Sequence, residues 1–130
     1  MSARLDMVGL VVVDMERSLA FYRELGFEFA ADAAQKPHVE ATLPGGLRIA
    51  WDTIEEVHKF DPDWKQPSGD SRVGFAFLVE TPSDVDATYE RLVAAGYDGH
   101  KEPWDAFWGQ RYASLRDPDG NGIDLFCPLD

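Results

Sequence analysis

Between Trp104 and Tyr112 the chain places four aromatic side chains in nine residues: Trp104, Phe107, Trp108 and Tyr112. Their spacing fits no helical core period. Large apolar rings outside a core lose solvation free energy unless they pack or bind, so a cluster of this kind can stack on a planar ring. Trp64, in the loop bounded by Pro62 and Pro67, supplies another, with Phe60 just before it. A carboxylate follows downstream. Asp117-Pro118-Asp119-Gly120-Asn121-Gly122 reads as a tight turn: proline presets φ, Asp and Asn close side-chain-to-backbone bonds, and glycine permits positive φ. The turn drops into Ile123-Asp124-Leu125-Phe126, whose alternation puts Asp124 on the face opposite Ile123 and Leu125, at the mouth of a sheet.

Other chemistries find fewer residues. Ser18, Ser71 and Ser114 lack a Gly-x-Ser-x-Gly elbow, and Cys127 has no motif partner, so no nucleophile constellation stands out. No glycine-rich phosphate loop or basic cluster occurs. None of the three histidines has a ligand partner at i+4. His58 and His100 read as surface or linker residues, whereas His38 opens a predicted strand and is a candidate for ligand contact. The lone Cys127 cannot form an internal disulfide and reads as buried packing.

A formal net charge of −12 repels nucleic acid and anionic membrane surfaces, so neither is an expected partner. The sequence shows no N-terminal basic-plus-apolar leader and no run of 18 apolar residues, and the protein is expected to be cytoplasmic. At 130 residues, 45% of them hydrophobic, the chain can bury one substantial core or two small halves.

The elements that must position these residues can be read from periodicity. Val8 to Val13 is a continuous apolar run of strand length. Asp14 can cap a helix through Leu19, Phe21, Tyr22 and Leu25, ending at Gly26. His38 to Leu43 and Leu47 to Trp51 read as strands joined by the hairpin signal Pro44-Gly45-Gly46, and residues 55 to 71 as a loop or linker. A second cycle starts at Val73 to Val79. There Ser83 is the expected cap of a helix through Val85, Tyr89, Leu92 and Val93 to Gly96. Arg111 to Leu115 and Ile123 to Phe126 supply closing strands.

The order strand–helix–strands thus occurs twice, with Val8-Gly9-Leu10 echoed by Val73-Gly74-Phe75 and Leu25-Gly26-Phe27 by Ala95-Gly96-Tyr97. This predicts an α+β fold of two tandem βαβββ modules, about 1–66 and about 72–130, in one domain spanning 1–130. Parity puts Met7, Gly9 and Val11 on one face of the first strand, and Arg72, Gly74, Ala76 and Leu78 on one face of its counterpart.

The first strand and helix together with the Asp117-to-Phe126 turn and strand resemble the vicinal-oxygen-chelate superfamily, which includes glyoxalases, extradiol dioxygenases and bleomycin-resistance proteins. The resemblance covers nearly the whole chain. It implies two half-barrels wrapping a cup, with the cup as the site. In metal-dependent members a His comes from the first strand, another from the second module and a Glu from the last strand. Here those positions fall on Met7, on Arg72 or Gly74, and on Asp124. A catalytic metal site needs about three protein ligands, and thioether, guanidinium and glycine cannot replace imidazole, so neither a metal nor another cofactor is expected. Trp108-Gly109-Gln110-Arg111 ahead of the turn resembles the bleomycin-resistance branch, in which an aromatic at the Trp108 position helps hold a planar antibiotic between two protomers. Trp104 can stack on a ligand or plug the half-barrel. Arg111 is expected to pair with Asp117 or Asp119 across the hairpin rather than touch ligand.

The expectation is therefore a homodimeric, metal-free protein that sequesters an aromatic antibiotic or natural product. Its candidate ligand contacts are Trp108, Trp104, Phe107, Trp64, His38, Tyr112, Asp124 and Met7. The alternative, a glyoxalase-type lyase, isomerase or dioxygenase, requires a metal. Dimerisation is expected because a half-barrel leaves strand edges to be covered, and a twofold is the commonest way to cover them.

Overall fold

The computed structural model describes residues 2–130, which divide into two compact units, one ending at Pro67 and the other running from Ser68 to Asp130. In the first unit, β1 (Met7–Val12) leads into α1 (Met15–Glu24), and a single 3-10 turn (Ala33–Gln35) precedes β2 (His38–Thr42), β3 (Arg48–Thr53) and α2 (Ile54–His58). The sheet order is β1-β3-β2, with β1 parallel and β2 antiparallel to β3. Asp14 caps α1 by accepting from the Arg17 amide at 3.1 Å. Gly26, at φ +103°, then takes the left-handed conformation that stops the helix.

One sheet face packs on α1. Its core is Trp51, fully buried, whose ring meets Tyr22, Phe27 and Phe29 edge-on at centroid distances of 5.0–5.7 Å. Leu10, Val12, Val39 and Ile49 are buried on the same side of the sheet.

The second unit is a full βαβββ. It comprises β4 (Gly74–Leu78), α3 (Pro82–Ala94), β5 (Asp98–Asp105), β6 (Gln110–Arg116) and β7 (Gly122–Pro128), in sheet order β4-β7-β6-β5. Ala113, Leu115, Ile123, Leu125 and Cys127 are buried on the side that carries α3, where Val85 and Leu92 are buried from the helix. Gly99 lets β5 run close to α3. A Cβ there would overlap the Tyr89 hydroxyl and come within 2.9 Å of Val93 Cγ2.

Several sequence expectations need correction. Residues 55–71 are not all loop: Ile54–His58 form a short helix capped by Thr53, whose hydroxyl accepts from the Glu56 amide. The cap of α3 is Thr81, not Ser83. Thr81 and Asp84 close a reciprocal capping box, and Pro82 enters at the first helical position. A further strand that the periodicity did not assign, β5, runs through Trp104 to Asp105. Module one is also short of a strand. Where unit two has β5 directly after its helix, unit one has only the 3-10 turn, so β2 lies at the sheet edge.

Candidate functional site

Register assigns each side chain on the face of unit two away from α3. Trp104, Tyr112, Phe126 and Leu78 lie in one row across β5, β6, β7 and β4, and Lys101, Ser114, Asp124 and Ala76 in the next. The first row is aromatic and continues into the β5–β6 turn. Trp108 stands edge-on to Phe107 at 4.9 Å, to Trp104 at 5.6 Å and to Tyr112 at 5.2 Å, and Tyr112 stacks on Phe126 at 6.2 Å. Edge-to-face contacts at these distances hold rings in fixed relative orientation. Phe107 is 91% exposed and Trp108 47%, so the end of the row is open. The Trp108 indole N–H donates to Gln110 Oε1 at 2.7 Å, and the Lys101 ammonium lies 4.8 Å from the Trp104 ring centre.

The second row centres on Asp124. The Tyr112 hydroxyl donates to Asp124 Oδ2 at 2.7 Å and the Ser114 hydroxyl to Oδ1 at 2.8 Å. Desolvation, reinforced by that bond to Asp124, pushes the Tyr112 phenol up to about 12. A carboxylate has about four lone-pair sites, so two hydroxyl donors fix its orientation and leave acceptor capacity for a ligand. Unit two thus brings together five of the eight expected residues: Trp104, Phe107, Trp108, Tyr112 and Asp124. Sequence reasoning missed Ser114 in this role, although its spacing of two from Tyr112 on a strand put both on one face.

The other three lie in unit one. Trp64 packs against His58, whose Nε2 is 3.0 Å from the Trp64 carbonyl oxygen. Met7 and His38 share the face away from α1 but stand two strands apart, at opposite edges of the sheet. His38 is held on both ring nitrogens, Nδ1 at 2.5 Å from Asp52 and Nε2 at 2.7 Å from Glu40. Arg48 donates to Glu40 at 2.8 Å and to Asp6 at 2.5 Å. The signal for this network was the alternation of charged residues on β2 and β3. Arg111 does not pair across the hairpin as expected. It bonds Asp86 on α3 at 3.0 Å and Asp105 at 3.1 Å, while Asp117 closes its own turn by accepting from the Asp119 and Asn121 amides. Among the described residues no group of three or more His, Cys, Asp or Glu is placed to hold a metal ion.

The bonds to Glu40 and then to Asp52 raise the His38 pKa above 6.5, and those from His38 and then Arg48 lower that of Glu40 below 4.5. A raised histidine stabilises the fold fully below its unfolded value and loses that contribution as pH rises through its folded one. A lowered carboxyl contributes above its unfolded value and fails as pH falls through its folded one. The stabilising window therefore lies between pH 4.5 and 6.5. His38→Gln is expected to lower the melting temperature most in that window. The effect should be modest, because the side chains of His38 and Glu40 are 38% and 35% exposed. Melts at a series of pH values check this, and a difference independent of pH would refute it.

The Glyoxalase/Bleomycin resistance protein/Dioxygenase superfamily model matches residues 4–125, and the chain belongs to that superfamily. Solved structures share the fold. A glyoxalase/bleomycin resistance protein/dioxygenase family enzyme from Burkholderia phytofirmans PsJN is 23% identical with a TM-score of 0.82, covering 98% of this chain and 100% of its own. A glyoxalase-related enzyme from Fulvimarina pelagi is 22% identical with a TM-score of 0.77, covering 95% of this chain and 87% of its own. A superfamily member from Sphaerobacter thermophilus DSM 20745 is 29% identical with a TM-score of 0.67, covering 97% and 98%. No curated protein matched the sequence. No helix among the described residues is long and apolar enough to cross a membrane.

Proposed function

We propose that the chain is a metal-independent small-molecule-binding protein of the bleomycin-resistance-like branch, which sequesters a planar aromatic antibiotic or natural product as self-resistance. The observation that carries this reading is the row of rings from Phe107 through Trp108, Trp104 and Tyr112 to Phe126, with Asp124 beside it. A planar ligand stacks on Trp108, Trp104, Phe107 and Tyr112, and a cationic group on it meets Asp124. Burying a drug-sized ring system this way supplies about 8 to 12 kcal/mol, or micromolar to nanomolar affinity. Trp64, His38 and Met7 belong to the other unit, and no role in this slot is assigned to them. The proposal includes a homodimer, because a second copy about a twofold covers a ring as exposed as Phe107.

No bond need be made or broken for sequestration, which suits the loss of imidazole at Met7 and at Arg72 or Gly74. Titrating a panel of planar antibiotics into the protein should quench its tryptophan fluorescence, since two of its four tryptophans line the slot. A panel that leaves the fluorescence unchanged would remove the reading. Stoichiometric nickel, zinc, iron or manganese in protein purified without chelator, together with turnover, would put a glyoxalase-type lyase, isomerase or dioxygenase in its place.

A further inference from the structure

Unit one holds a second arrangement of charges that the aromatic slot does not use. Carboxylates accept and do not donate, so a histidine placed against Asp52 through Nδ1 and Glu40 through Nε2 satisfies both contacts as donor in its protonated form, the imidazolium. Glu40 spans two cations: its Oε2 accepts from His38, and its Oε1 accepts from Arg48 Nη1. A bound carboxylate ligand is held in this manner, by charge-assisted bonds to both of its oxygens. His38 and Arg48 each keep a separate anchor, Asp52 for one and Asp6 for the other. Each cation thus has an anchor independent of Glu40. The anchor Asp52 is the more deeply set, 15% exposed against 35% for Glu40.

We propose that His38 and Arg48 form a carboxylate-binding subsite filled by the chain's own Glu40, which a small monocarboxylate displaces on binding. Charge favours a monoanion. With Glu40 removed, the cations Arg4, Arg48 and His38 face the anions Asp6 and Asp52, leaving one positive charge. Space favours a small body on the carboxylate. Gly9, in register with Ala50 and through it with Glu40, is exposed, and a Cβ built there would meet no atom within 4 Å. Met7 and Val11 flank it on the same face with apolar side chains. The ligand class is thus a small aromatic or aliphatic monocarboxylate, and a dianion would leave a charge unmatched.

Benzoate is the probe and benzamide its uncharged isostere, with the His38 ring resonances followed by NMR during each titration. Glu40→Ala is expected to bind benzoate about tenfold more tightly than the parent, because no internal carboxylate has to be displaced. Benzamide should gain nothing from the same change. Benzoate should move the His38 resonances, and adding His38→Gln should abolish the gain. Benzoate affinity unaltered by Glu40→Ala, an equal gain for benzamide, or a gain that leaves the His38 resonances in place would each overturn the proposal. If Glu40→Ala does not fold, Glu40→Gln keeps the side-chain size, removes the charge and carries the same comparison. Because benzoate is itself a planar ring, the His38 resonances report on this subsite and tryptophan fluorescence on the ring row of the other unit, so failure here and failure of the antibiotic-binding reading are separable.

Discussion

Trp108→Ala is expected to weaken binding of the planar ligand by about 1 to 3 kcal/mol, the range for truncating an aromatic anchor. Stability should change by less than about 1 kcal/mol, because a half-exposed ring leaves no sealed cavity. The ring holds its position through three edge-on neighbours and an indole bond to Gln110. Removing it takes away one wall of the slot and leaves Tyr112 still tied to Asp124. Affinity from fluorescence titration and unfolding free energy from urea melts, measured on the same variant, separate stacking from packing. A loss of about 3 to 5 kcal/mol in stability with unchanged affinity would mean that Trp108 is a plug, not a wall.

The largest effect on folding is expected at Trp51. Trp51→Ala should cost about 3 to 5 kcal/mol, since the ring is fully buried amid Tyr22, Phe27 and Phe29 and the void cannot close completely. Trp51→Phe should cost much less. It retains a ring in the same slot and removes an indole N–H that is buried with no hydrogen-bond partner among the described residues. Urea unfolding followed by far-ultraviolet circular dichroism gives both values. Near-equal losses for the two variants would show that the edge-on ring contacts contribute little.

Much of the fold was legible because the signals were local. Asp14 caps its helix, Gly26 and Gly96 end theirs at φ +103° and +97°, and the Pro44-to-Gly46 turn joins its strands as the residues imply. What escaped the sequence depended on neighbours distant along the chain. β5 was hidden because Gly99 and Pro103 interrupt its alternation and its pairing with β6 shifts register twice. Arg111 found Asp86 rather than Asp117 because β6 turns that side chain toward α3, and no reading of the hairpin alone includes the helix. Of the candidate site, the aromatic cluster and Asp124 could be named from composition and parity. The hydroxyl pair that orients Asp124, and the clamp on His38, required the register of the strands.

The strand missing from unit one bears on how the protein behaves when concentrated. An edge strand exposes a row of amides and carbonyls that another chain can extend into a growing sheet. On β2 that edge carries His38 and Glu40, engaged with Asp52 and Arg48. A chain docking there must strip water from ionised groups, which opposes strand-on-strand growth. Loss of the clamp is therefore expected to show as turbidity in a concentrated solution of still-folded molecules, read by light scattering.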